Sequence, residues 1–192
     1  MIRINKELLN YVNHLYQLGT EGNIIEQTFE PTEQIIKSGQ NVFSVYVIKS
    51  GMAKCYLTED TGNDFIQEFF AEGEIFGEIE AIREDISFCT IEASSPLVLY
   101  KIPLAYFNEL LLKNNVFNHL ILKALANKIN YKAIRHSYNQ SHPVESKLLR
   151  LKANFPDFNK LLPKQEIANY LGITVRSLNR TLNDLKAKGL IS

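Results

Sequence analysis

The hydrophobic period of this chain changes twice, and those changes restrict its fold more than any single motif. Residues 4–18 place Leu8, Leu9, Val12, Leu15 and Tyr16 on one side of a short amphipathic helix. From about 24 to 102 the period is two. Strand-like runs cover 24–29, 32–37, 45–48, 53–57, 65–70, 88–92 and 96–102. Turn signals such as Ser38-Gly39, Lys49-Ser50-Gly51 and Glu72-Gly73-Glu74 separate them. Short strands punctuated this often predict a β-sandwich or jelly roll. At Pro103 the helical period returns and continues to the end. The expected class is therefore α+β, a β-roll followed by helices.

The helical part has four pieces. Residues 103–112 form one helix, interrupted at Asn114-Asn115. The stretch from about 116 to 138 contains no proline or glycine and carries Phe117, Ile121, Leu125 and Ile129 at steps of four, flanked by Leu120, Ala124 and Ala133. A helix of that length between two modules predicts a dimer seam. Asn139-Gln140-Ser141-His142-Pro143 reads as a polar hinge, Val144 to Asn154 as a basic amphipathic helix, and Phe155 to Phe158 as a turn.

The last piece, PKQEIANYLGITVRSLNRTLNDLKAKGLI from Pro163 to Ile191, has the pattern of two helices about a tight turn. Ile167, Ala168 and Leu171 share a face of the first helix. Gly172 provides the turn and Thr174 an N-cap for the second helix. Leu178, Leu182 and Leu185 form the buried stripe of the second helix. Its outer face holds Val175, Arg176, Asn179, Arg180 and Asn183, with no acid. Arg pairs bidentately with guanine and Asn with adenine, so this face predicts a DNA-reading helix-turn-helix rather than a merely solvated hairpin.

Charge separates the two halves. The chain is formally neutral, yet residues 1–102 hold 7 Lys and Arg against 16 Asp and Glu, and residues 103–192 hold 14 against 5. The halves thus carry −9 and +9, and only the second attracts phosphate. Cys55 and Cys89 fall in strands and are expected to be buried free thiols; two thiolates cannot ligate a typical iron–sulfur cluster. His14, His119, His136 and His142 all lie outside the roll, so neither a metal centre nor a resident cofactor is expected. No apolar run or signal-peptide core is evident, and a cytoplasmic protein without membrane contact is the expectation. Neither a nucleophile–base pair nor metal-ligand spacing suggests an enzyme.

The order helix, β-roll, long helix, hinge, helix-turn-helix resembles the family of the cyclic-AMP receptor protein and the fumarate–nitrate regulator, called Crp/Fnr. Three matches carry it, from about residue 20 to 191. They are IIKSGQ at 35–40 with VYVIKSG at 45–51, GEIFGE at 73–78, and QEIA at 165–168 with LGIT at 171–174. The resemblance implies a cyclic-nucleotide-binding-like double-stranded β-helix with its dimerisation helix in residues 1–138, the helix itself at about 115–138. A hinge at 139–143 and a helix-turn-helix domain at 144–192 without a full wing follow. It implies a homodimeric, sequence-specific transcriptional regulator acting on a near-palindromic operator. The implied partners are double-stranded DNA, RNA polymerase and a small-molecule effector of unknown identity.

Base reading is expected from Arg176, Arg180 and Val175. Ser177, Thr174 and Asn179 are next, for base or phosphate, and Lys164 is a phosphate candidate. Without a wing, phosphate contacts would fall to Lys147, Arg150, Lys152, Lys160, Lys164, Lys186 and Lys188. The effector pocket departs from the family pattern. Gly77 and Glu78 keep the ribose-contacting pair, but Ile86-Ser87-Phe88-Cys89 lacks the arginine that neutralises a cyclic phosphate, and Arg83 comes too early. Lys132-Ala133 stands where the adenine-contacting pair would be. Cyclic-AMP binding is therefore not expected, and Glu78 is expected to satisfy turn N–H groups. Gly77, Glu78, Ser87 and Lys132 remain the candidate effector residues. Two alternatives stay open: a cyclic-nucleotide-responsive regulator with another cation, and a signalling adaptor whose C-terminal helices bind protein.

Overall fold

The computed structural model describes residues 2–19, 23–60 and 62–191, without the side chains of Ile2, Asn159 and Lys160; the phosphate contact expected of Lys160 lies outside the described residues. Among the described residues nine strands form two facing sheets. One sheet has the order β1(Ile2–Arg3), β6(Asp64–Phe70), β5(Ala53–Thr58), β8(Thr90–Ala93), β3(Gln34–Ile36). The other runs β2(Ile25–Phe29), β9(Leu97–Pro103), β4(Ser44–Ser50), β7(Ile75–Phe76). All pairings are antiparallel except β1 with β6, which sets Ile2 beside Phe69. Sequence reading missed β1 and β7, which are two residues each. The strand expected at 32–37 is confined to Gln34–Ile36, because Thr32 sits at φ +75° and cannot extend the ladder.

Alternation along the strands fills the space between the sheets with Ile48, Ala53, Phe70, Phe76, Leu97 and Leu99. A second core lies outside the four-stranded sheet. There α1(Lys6–Gln17), α3(Leu104–Lys113) and the first half of α4(Asn115–Ser141) bury Leu8, Val12, Phe107, Leu110, Phe117 and Ile121 over Val45 and Tyr100. Each fully buried Leu, Ile or Phe contributes roughly 1.5–3 kcal/mol here. Asn5 caps α1, its side chain accepting from the Leu8 N–H at 3.2 Å. Asn114 caps α4 in the same way, accepting from the Phe117 N–H at 3.0 Å. The expected two-residue interruption is therefore a single residue, and Asn115 is already helical.

Helix α4 corrects the expected seam. Steps of four advance about 40° around a helix, so Phe117 and Ile129 stand about 120° apart. Phe117, Leu120, Ile121, Ala124 and Lys128 face the roll, whereas Ile129 is 70% exposed. Leu122, Ala126 and Ala133 are exposed with it. The helix also runs into the first three residues of the expected hinge, to Ser141, since Asn139-Gln140-Ser141 is polar but contains no helix breaker. It ends where Pro143 forces His142 into an extended conformation, φ −125° and ψ 145°.

Beyond that joint come α5(Val144–Asn154), α6(Phe158–Leu161), α7(Lys164–Leu171) and α8(Val175–Ala187). The 155–158 turn expected from sequence leads into the one-turn α6. These helices do not close a core alone. Leu148, Phe158, Ile167, Leu171, Leu178, Leu182 and Leu185 pack together with Tyr56, Ile66 and Phe69 of the roll. The C-terminal unit is thus docked on the five-stranded sheet of its own chain.

Candidate nucleic-acid interface and the pocket in the roll

Helices α7 and α8 meet at Gly172, whose φ of +67° and ψ of 40° form a left-handed cap. Its neighbour's N–H, at Ile173, returns to the Ala168 carbonyl at 3.0 Å, and the chain turns sharply there. The Thr174 hydroxyl accepts from the Ser177 N–H at 3.2 Å and starts α8. Leu178, Leu182 and Leu185 are buried, which fixes the opposite face outward. Arg176, Arg180 and Asn183 are exposed on it, at spacings of four and three. Among the described residues no carboxylate forms an ion pair with either arginine.

The other expected contact residues divide. Lys164, at the start of α7, donates to the Asn179 side-chain oxygen at 2.9 Å, which joins both to the edge of this surface. Ser177 is half-buried, and Val175 is half-buried against the leucine core. Lys188 is held by Glu145 at 2.9 Å on the far end.

A latch missed by sequence reading fastens this unit to the roll. Lys54 on β5 bridges Glu92 at 2.9 Å and Glu166 of α7 at 2.7 Å, all three side chains being largely buried. Burial alone would lower the Lys54 pKa, but its bonds to Glu166 and Glu92 outweigh this and raise it. Beside it, Arg135 of α4 donates to the carbonyls of Gln67, Ile66 and Tyr170, the last at 2.7 Å, and lies 4.0 Å over the Tyr170 ring. The Tyr131 and Tyr170 hydroxyls are 2.7 Å apart, and burial pushes the Tyr131 phenol well up.

The pocket in the roll is occupied by the protein itself. Glu78 is 1% exposed at the start of α2(Glu78–Arg83), a short helix that begins where Gly77 takes φ +85°. A Cβ at Gly77 would come within 2.9 Å of the Ser44 carbonyl oxygen. The expectation that Glu78 satisfies turn N–H groups is not met. Glu78 Oε1 accepts from Lys128 Nζ of α4 at 2.5 Å, and Lys128 also donates to the Ile75 carbonyl at 2.5 Å. Lys132 lies 3.6 Å from Glu68 and 5.8 Å over the Phe88 ring. Arg3 bridges Glu68 and Glu74 at 2.7 and 2.8 Å, and burial nevertheless raises the Glu74 pKa.

Ser87 turns away from the cavity to Glu80 and the Cys89 carbonyl, at 3.1 and 2.8 Å. Cys55 and Cys89 are free and buried with their sulfurs 3.0 Å apart. That mutual hydrogen bond, followed by burial, pushes the Cys55 thiol up. Phe70, Phe76 and Phe88 help close a cavity of about 30 Å³. One water needs about 10–15 Å³ on that measure, so the space as it stands has room for a water or two. Arg83 is engaged with Asp85 at 3.1 Å on the surface.

Residues 26–114 match the model of the cyclic nucleotide-binding domain, and residues 162–191 match that of bacterial regulatory proteins of the crp family. The chain belongs to the Crp/Fnr family of transcriptional regulators. The first match spans the roll from β2 to α3, and the second coincides with α7 and α8.

Among curated relatives, the regulatory protein HlyX of Actinobacillus pleuropneumoniae is 24% identical over 92% of this chain and 79% of its own length. The electron transport regulator A of Shewanella oneidensis is 26% identical over 93% and 75%. A Crp/Fnr-family regulator from Eubacterium rectale has the same fold, with a TM-score of 0.78 at 16% identity over 97% of this chain and 89% of that one. In this Crp/Fnr chain the buried Glu78 carboxylate of the roll is engaged in an internal ion pair with Lys128. Among the described residues no helix is long and apolar enough to cross a membrane, and no cluster of three or more His, Cys, Asp or Glu could hold a metal.

Proposed function

We propose that this chain acts as a homodimer in the cytoplasm, reading a near-palindromic duplex with α8 in the major groove and regulating transcription without enzymatic activity. The observation that carries the reading is the outer face of α8, where Arg176 and Arg180 project with no acidic partner among the described residues. Arg176 and Arg180 read guanine edges, and Val175 offers a methyl-sized apolar contact. Ser177 and Asn179 sit at the margin, where Lys164 and Thr174 meet phosphate. The exposed row Leu122, Ala126, Ile129 and Ala133 supports pairing of α4 with a second copy, at the four-three spacing of a coiled coil. Two copies place the recognition helices one turn of DNA apart. RNA polymerase is the protein partner that such a regulator would meet on DNA. The effector, if small, is not cyclic AMP, because Lys128 and Glu78 fill the site where its ribose would bind.

Selection of bound duplexes from a random pool tests this, with Arg176→Ala and Arg180→Ala alongside. Each substitution should cost about 1–3 kcal/mol of discrimination at one base position, roughly 5- to 150-fold. Unchanged selectivity in both variants would refute the base-reading assignment. Failure of the parent protein to enrich any site at low salt would favour an adaptor that binds protein.

A further inference from the structure

The joint between the roll and the DNA-binding unit contains a second cavity, of about 50 Å³. Tyr131, Arg135 and Tyr138 of α4, Lys147 and Arg150 of α5, and Tyr170 of α7 contribute to its wall. Three cations therefore surround it, and no Asp or Glu lines it. Among the described residues no carboxylate lies within ion-pair distance of Arg135, Lys147 or Arg150.

Two of the cations are already held in position. Arg135 is fixed by three carbonyls and the Tyr170 ring. Arg150 lies 4.1 Å over the Tyr138 ring, whose other neighbour is the His142 ring, stacked at 3.8 Å. Carbonyls and aromatic faces orient a guanidinium but leave its positive charge uncompensated. Three like charges around one small void repel each other, and an oxyanion placed there would remove that repulsion with little reorganisation.

We propose that this joint is a binding site for the phosphate group of a small phosphorylated molecule. Lys147 and Arg150 would hold the oxyanion, and the already oriented Arg135 would add charge. The void accommodates a phosphate-sized head, and the open side leaves the rest of the molecule toward solvent. Arg135 covers a face of Tyr170, and Arg150 and His142 cover Tyr138, so the site selects the charged group rather than a stacked ring. DNA phosphate is the competing use of these cations. The cavity argues against it, because its walls come from α4, α5 and the docked end of α7, and Arg176 and Arg180 are not among them.

Calorimetry on the full chain in a phosphate-free buffer tests the site, using pyrophosphate and adenosine 5′-diphosphate as probes and adenosine as the uncharged control. Saturable binding of both anions but not adenosine is expected. Lys147→Ala and Arg150→Gln should each weaken it about tenfold or more. Among the described residues the Lys147 side chain makes no hydrogen bond or ion pair, and its variant keeps the test valid if the Arg150 variant melts early. No saturable binding, or binding indifferent to both substitutions, overturns the proposal. So does a loss of duplex affinity in Lys147→Ala without any added anion, which would assign these cations to DNA. The anion measurement requires no DNA, so its failure is distinct from failure of the regulatory reading.

Discussion

Replacing Lys128 by Met removes the only cation bonded to Glu78 among the described residues while nearly preserving the length of the stem. Glu78 Oε1 then loses its 2.5 Å partner, and Oε2 already has none. The Ile75 carbonyl loses a donor as well. A buried carboxylate stripped of its partner costs about 3–5 kcal/mol. For a chain of this size each kcal/mol lowers the melting temperature by about 2–4 °C, so Lys128→Met should melt roughly 6–20 °C below the parent. The double variant Lys128→Met with Glu78→Met removes both charges, and it should recover most of that loss, since a well-packed apolar pair is often as stable as a buried ion pair. Differential scanning calorimetry on the parent, both single variants and the double variant gives the coupling directly. A single variant melting within about 2 °C of the parent, or a double variant no better than the worse single one, would refute this account of the pocket.

Two further outcomes are expected. Ile129→Glu places charge in the middle of the exposed apolar row of α4 and should convert a dimer to monomer in sedimentation equilibrium without a large change in melting temperature; an unchanged mass would move the seam elsewhere. Burial, then Glu92, pushes the Tyr56 phenol from its ordinary value near 10 up to about 12. The folded state thus holds a proton that the unfolded state releases, so this contribution is complete below about pH 10 and lost as pH rises through 12. Urea titrations over that window should show a steeper loss of stability in the parent than in Tyr56→Phe, and equal slopes would contradict the assignment.

The helix-turn-helix was legible because its determinants are local. A glycine at the turn, a threonine cap and leucines at four and three define α7 and α8 within about two dozen residues. The charge asymmetry pointed to the same end of the chain. Lys128 was hidden by an assumption about lysine. It continues the buried row Phe117, Ile121 and Ala124, and a period of 3.6 would have put it inside; steps of four led to Ile129 instead. Glu78 and Lys128 are fifty residues apart, and Lys54 and Glu166 more than twice that, so their pairing follows from the docking of α4 and α7 on the roll. The two-module reading also hid the shared core, because Tyr56, Ile66 and Phe69 look like outward strand positions until α7 covers them.

The Lys128 ammonium stands in for a ligand, with one difference in kind. A diffusing molecule grips its site in proportion to its concentration, and dilution releases it. Lys128 is delivered by the backbone of α4, at a local concentration fixed by geometry and independent of the surrounding metabolite pool. The fastening of α4 to the floor of the roll is therefore a part of the fold itself.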